Sequence, residues 1–66
     1  MIKTDELRGE IARNRLTQKD VARMIGVTPK TFYEKMSKGI FGSDEIQKMI
    51  DGLNIQDPMK IFFAKE

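Results

Sequence analysis

The chain contains no cysteine and no histidine. Without cysteine there is no disulfide and no thiol nucleophile. Without histidine a zinc site would have to rest on carboxylates alone, so neither a metal nor any other cofactor is expected. Glycine and proline are scarce, five and two in 66 residues, and no linker or repeat interrupts the chain. No apolar run is long enough to cross a bilayer. The opening MIKTDELRGE lacks the apolar core of a signal peptide, so a cytoplasmic protein is expected. No carboxylate cluster and no glycine-rich phosphate loop after a strand is present, so an enzyme is not expected. Sixty-six residues make one domain, spanning 1–66, with a small core and no room for a ligand-sensing unit. A small-molecule ligand is accordingly not expected.

What the chain does have is charge, and it is unevenly placed. The formal net charge is +2. Nine of the twelve basic residues lie between Lys3 and Lys38, against five acids (Asp5, Glu6, Glu10, Asp20 and Glu34). From Gly39 onward three lysines stand against five acids. The first half is therefore basic and the second acidic. A basic half is the expected phosphate-facing side of a nucleic-acid-binding domain; the alternative is a solvated helical surface of the kind any small domain carries.

Apolar spacing predicts helices throughout and no strand. Thr4 or Asp5 can cap a first helix running to about Asn14, with Leu7 and Ile11 on its buried edge. Met1 to Lys3 is expected to be frayed, and Leu16 to anchor the connection that follows. Thr17, with Asp20 three residues on, has the form of a capping box. It opens a second helix whose inner residues are Val21, Ala22 and Ile25, and Gly26 ends it. Val27 is expected to plug the turn. Thr28 followed by Pro29 opens a third helix at about 29–37, with Phe32 and Met36 facing inward. Ser37 to Gly42 reads as a loop with two exposed apolar residues, Ile40 and Phe41. Ser43 is the expected cap of a fourth helix, in which Ile46, Met49, Ile50 and Leu53 keep the amphipathic spacing. Gly52 and Asn54 are expected to end it. Asp57-Pro58 opens a short last helix. The predicted fold is all-α: a compact five-helix bundle with a helix-turn-helix in helices two and three.

Gln18, Ala22 four residues on, Gly26 four beyond, Val27-Thr28 in the turn and Phe32 form a recognisable set. This segment resembles the lambda-repressor-like, Cro-type (XRE-like) helix-turn-helix family of phage and bacterial regulators. Many members have an apolar residue three after the Phe32 position. Here that residue is Lys35, and the apolar one is Met36. A phage-encoded branch is similar in this respect, and in a tail like Ser43-Asp44-Glu45-Ile46, Asn54-Ile55 and Ile61-Phe62-Phe63-Ala64. The resemblance covers most of the chain. It implies that Thr28, Pro29, Lys30, Thr31, Tyr33 and Glu34 face the bases. It also implies that Gln18 clamps a backbone phosphate.

The residue chemistry is compatible with those roles. A helix fits the major groove. Lys30 can donate to guanine, Thr31 can set its methyl against thymine, Glu34 can accept from cytosine N4, and Tyr33 can pack on sugar or phosphate. Pro29 stands where well-known members carry glutamine and offers only apolar contact. Lys30 and Glu34, four apart, could instead be a surface ion pair. Lys19, Arg13, Arg15, Lys35, Ser37 and Lys38 are candidate phosphate contacts. Ile61, Phe62 and Phe63 suit either a core or the interface of a homodimer, in which two copies would read a palindromic operator. The expected function is a Cro-like phage repressor that binds double-stranded DNA on the nucleoid of a bacterial host. The same fold also serves interaction modules, such as an antitoxin or anti-repressor subunit, and excisionase-like architectural factors.

Overall fold

The computed structural model of the protein describes residues 2–63. Helices α1 (Thr4–Arg13), α2 (Gln18–Ile25), α3 (Pro29–Lys38), α4 (Ser43–Gly52) and α5 (Pro58–Phe62) follow one another, and no strand occurs among the described residues. The fold is therefore all-α, as the apolar spacing predicts. α2 packs on both α3 and α4, and α5 returns to α1. The core between them contains Leu7, Ile11, Val21, Ala22, Ile25, Phe32, Met36, Met49 and Leu53. Each large apolar side chain withdrawn there contributes about 1.5–3 kcal/mol before the entropy of ordering the chain is subtracted.

Four of the helices end in one and the same way. After each helix a single residue turns left-handed: Arg15 (φ 59°), Gly26 (φ 81°), Gly39 (φ 69°) and Asn54 (φ 51°). Its N–H donates to the carbonyl three residues back, and the next N–H donates five back. The pairs are Arg15 to Ala12 and Leu16 to Ile11 at 2.9 and 3.1 Å, then Gly26 to Arg23 and Val27 to Ala22 at 3.2 and 3.0 Å. Gly39 to Met36 and Ile40 to Lys35 follow at 3.2 and 3.1 Å, and Asn54 to Asp51 and Ile55 to Ile50 at 3.4 and 3.1 Å. These bonds satisfy carbonyls that a helix end leaves without partners. The residue after each turn is apolar. Leu16, Val27 and Ile55 pack on the core, whereas Ile40 stays 66% exposed. Glycine takes the left-handed turn without strain, and asparagine visits it readily. Arginine there costs about 1 kcal/mol.

Several starts and ends differ from expectation. The first helix is preceded by Lys3, and neither Thr4 nor Asp5 caps it through a side chain. Ile2 and Lys3 are not frayed: Ile2 is buried, and the Lys3 N–H donates to the Ile61 carbonyl at 2.8 Å. Met1 and Ala64 lie outside the described residues. Gly42, not Ser43, precedes α4, because the Glu45 carboxylate reaches back to the Gly42 N–H at 2.8 Å. Asp57 precedes Pro58 as expected but makes no side-chain cap. Gly52 is still helical; its missing Cβ makes room for the Met24 thioether, so α2 and α4 approach closely there. Phe41 is buried, its ring 5.5 Å from that of Phe32. Ile61 and Phe62 are buried too, which removes them from any interface and makes them the plug between α5 and α1.

Asn14 ties α1 to α4. Its amide donates to the Glu10 carbonyl at 2.8 Å and to the Leu53 carbonyl at 3.0 Å, joining the end of α1 to the end of α4. Asn14→Ala should cost about 1–2 kcal/mol in urea unfolding, through two lost donors. Asn14→Asp should cost at least as much, since a carboxylate would then face helix carbonyls. Parent-like stability in both variants would show that these bonds contribute nothing net.

Candidate nucleic-acid interface

The α2–turn–α3 unit is defined at every joint. At its entrance the Thr17 hydroxyl accepts from the Asp20 N–H at 3.2 Å, and the Asp20 carboxylate accepts from the Thr17 N–H at 2.8 Å. The Thr17 N–H, and then its hydroxyl, hold the Asp20 carboxyl below its usual range, with Arg23 adding to the effect. In the turn, Gly26 takes the left-handed conformation and Val27 is half-buried. The Thr28 hydroxyl accepts from the Thr31 N–H at 3.2 Å and donates to the Thr31 hydroxyl at 3.0 Å. Pro29 then occupies the first position of α3, where no N–H is needed. Ala22 is fully buried and its small side chain lets α3 approach α2.

Phe32 and Met36 anchor α3 from within. Their burial turns Pro29, Lys30, Tyr33, Glu34 and Ser37 outward, all exposed, while Thr31 is half-buried. The six residues expected to face bases thus belong to one helix start and its outer side. Lys30 and Glu34 are not an ion pair; among the described residues the ion pairs are Arg8–Asp5, Arg13–Glu10 and Lys35–Glu45. Both side chains remain free to meet a partner. The Thr28 hydroxyl is already committed to the helix cap, which leaves mainly its methyl for contact.

The candidate phosphate contacts divide into two groups. Lys19, Arg15, Ser37 and Lys38 are exposed, and Gln18 is half-buried at the first position of α2. Lys38 is the last residue of α3, immediately before the turn at Gly39. Arg13 and Lys35 are engaged within the protein, by Glu10 and Glu45. Arg13 keeps most of its side chain exposed, whereas Lys35 is closely held. Its ammonium lies 3.1 Å from the Glu45 carboxylate, and both side chains are largely covered. It works as a strut between α3 and α4 and does not stand open to a phosphate. Thr31, Glu34, Lys35, Lys38 and Ile40 line one shallow groove along α3. Gln18 lies at a different depression, with Arg8, Ala12 and Leu16. Ile40 is exposed as expected, whereas the bonds of Asn14 were not suggested by residue spacing.

Burial pushes the Glu45 carboxyl up, but the Gly42 N–H and the Lys35 ammonium outweigh it and hold the group below its usual range. A carboxylate depressed on folding adds stability that is present above its unfolded pKa. That stability is lost as pH falls through the lower folded value. Glu45→Gln should therefore destabilise the protein at pH 7 by roughly 1 kcal/mol, the modest worth of a partly covered charged contact. The difference from the parent should shrink as pH falls below the ordinary carboxylate range and through the lower folded value, where the parent carboxylate also loses its charge. Urea unfolding at pH 7 and pH 3 measures both. An unchanged gap at the two values would show that the strut owes nothing to its charge.

The chain matches no protein-family model, and searches of characterised proteins and of solved structures returned no match either.

Proposed function

We propose that this protein is a sequence-specific DNA-binding regulator whose α3 enters the major groove, in the manner of a Cro-like phage repressor. The observation that carries the proposal is the outward side of α3. Lys30, Tyr33 and Glu34 are exposed and have no ion-pair partner among the described residues, on a ten-residue helix held by caps and by two buried side chains. A helix of this length is about 15 Å long, enough to follow several base pairs along the groove. Gln18, Lys19, Ser37 and Lys38 would supply donors and cations for the phosphates. Such a protein would act without a cofactor or chemical step, by occupying an operator and excluding polymerase in the cytoplasm of a bacterial host. No helix among the described residues is long and apolar enough to cross a membrane, which is compatible with that setting.

A single α3 reads half a site. Two copies spaced by about 34 Å would read a palindrome. Met59 and Phe63 are 63% and 51% exposed and four residues apart near the C-terminal end of the described residues, and they offer apolar surface through which two copies would join. The same pair favours a second reading, in which the fold is an interaction module and the tail binds another protein.

Selection from random duplex DNA at two salt concentrations separates these readings. A repressor enriches a short palindrome, with affinity that falls steeply as salt rises. An excisionase-like factor enriches direct repeats and bends them. No enrichment and no salt dependence would leave the interaction module. Against the selected site, Lys30→Ala should cost about 1–3 kcal/mol and relax discrimination at one base pair. Unchanged discrimination would remove Lys30 from the base-reading set.

A further inference from the structure

Three of the four left-handed turn residues suit their conformation: Gly26, Gly39 and Asn54. Arg15, at φ 59°, does not. Its side chain does not compensate within the protein. Arg8 and Arg13 pair with Asp5 and Glu10, whereas Arg15 is exposed and its side chain has neither hydrogen bond nor ion pair among the described residues. Its backbone is well fixed all the same. The Arg15 and Leu16 N–H groups both donate into the end of α1, and Leu16 packs on the core. Thr17 and the start of α2 follow at once. A free guanidinium is thus mounted on a rigid base beside the entrance to the helix-turn-helix.

At that entrance the Asp20 carboxylate is taken up by the Thr17 N–H and hydroxyl at 2.8 and 2.9 Å, so it is no partner for the Arg15 guanidinium. We infer that Arg15 is a phosphate-binding residue for duplex DNA, kept in a strained left-handed turn that glycine would occupy more stably. Strain of this kind persists where a side chain has a task that the relaxed residue could not perform. A guanidinium can engage two oxygens of one phosphate in parallel. This assignment rests on the DNA-binding reading.

The test uses the full chain with Arg15→Gly and Arg15→Lys, thermal unfolding, and binding to a mixed-sequence DNA duplex across a salt series. Arg15→Gly should raise Tm by roughly 2–6 °C as the strain is released. It should also weaken binding several-fold and flatten the slope of log affinity against log salt by about 0.9, the loss of one phosphate contact. Arg15→Lys, which keeps both charge and strain, should leave Tm and slope close to the parent. No rise in Tm for Arg15→Gly would overturn the strain, and an unchanged salt slope would overturn the phosphate contact. A parent that binds DNA with a salt slope unaffected by Arg15→Gly sinks this assignment alone. A parent whose DNA binding shows no salt dependence sinks the DNA-binding reading with it.

Discussion

A chain this short cannot leave its connections idle. The core of the protein is little more than a dozen apolar side chains, so each turn between helices must both end a helix and add to that core. The left-handed turn followed by an apolar residue does both at once. Leu16, Val27 and Ile55 close helix carbonyls through their N–H groups and bury their side chains in the same step. Because three connections are built this way, α1, α2 and α4 end at defined positions. The angles at which the next helices leave are set by the same few residues. The α2–α3 geometry, on which any use of the outer face depends, follows from Gly26, Val27 and the Thr28 cap together.

That dependence explains which parts of the fold were legible in the sequence. Helix cores were, because Leu7–Ile11, Val21–Ile25, Phe32–Met36 and Met49–Leu53 repeat at the helical period and are buried. The turn at Gly26 was legible too, whereas Gly39 read only as part of a loop and Gly52, expected to end α4, is helical. The turn at Arg15 was not legible, because nothing in an arginine announces a positive φ. The start of α4 was misplaced for a related reason. Serine is a favoured cap, but the bond that forms is the reciprocal one, from the Gly42 backbone N–H to the Glu45 side chain. Any residue with an N–H can fill that half of a capping box, so residue type alone does not locate it. At the tail, Ile61, Phe62 and Phe63 are equally apolar. Only the docking of α5 on α1 decides that the first two are covered and the third is not.

The candidate site was legible in outline and altered in its charges. The outer residues of α3 lie where the inward positions of Phe32 and Met36 put them. Which cations remain open was not readable, since pairing depends on contacts across the chain. Lys35 illustrates this. It stands one position before Met36, too close to the inner side for a freely solvated lysine, and Glu45 from the next helix meets it there. Its charge is therefore answered within the fold.

The way α3 is mounted limits what the rest of the protein can do for it. Two buried side chains hold its inner side, a threonine cap and a proline hold its start, and a glycine turn ends it. On its flank the Lys35–Glu45 pair braces it against α4, and the same carboxylate receives the Gly42 N–H that starts α4. One acid thus fixes both the brace and the helix that is braced. An apolar residue at position 35 would have needed a matching apolar surface on α4. An ion pair needs only one long side chain from each helix, and their chains cover the gap while their charges set the register. Just beyond the brace, Ile40 is the one turn-following residue left in the open, on the groove it shares with Thr31, Glu34, Lys35 and Lys38. Its N–H closes α3 as in the other turns, but the partner five residues back is Lys35, whose side chain is drawn toward Glu45. At the other three turns that partner is Ile11, Ala22 or Ile50, an apolar residue against which the turn can pack. Ile40 is thus the one residue following these four turns whose backbone partner is charged and whose own side chain stays in the open.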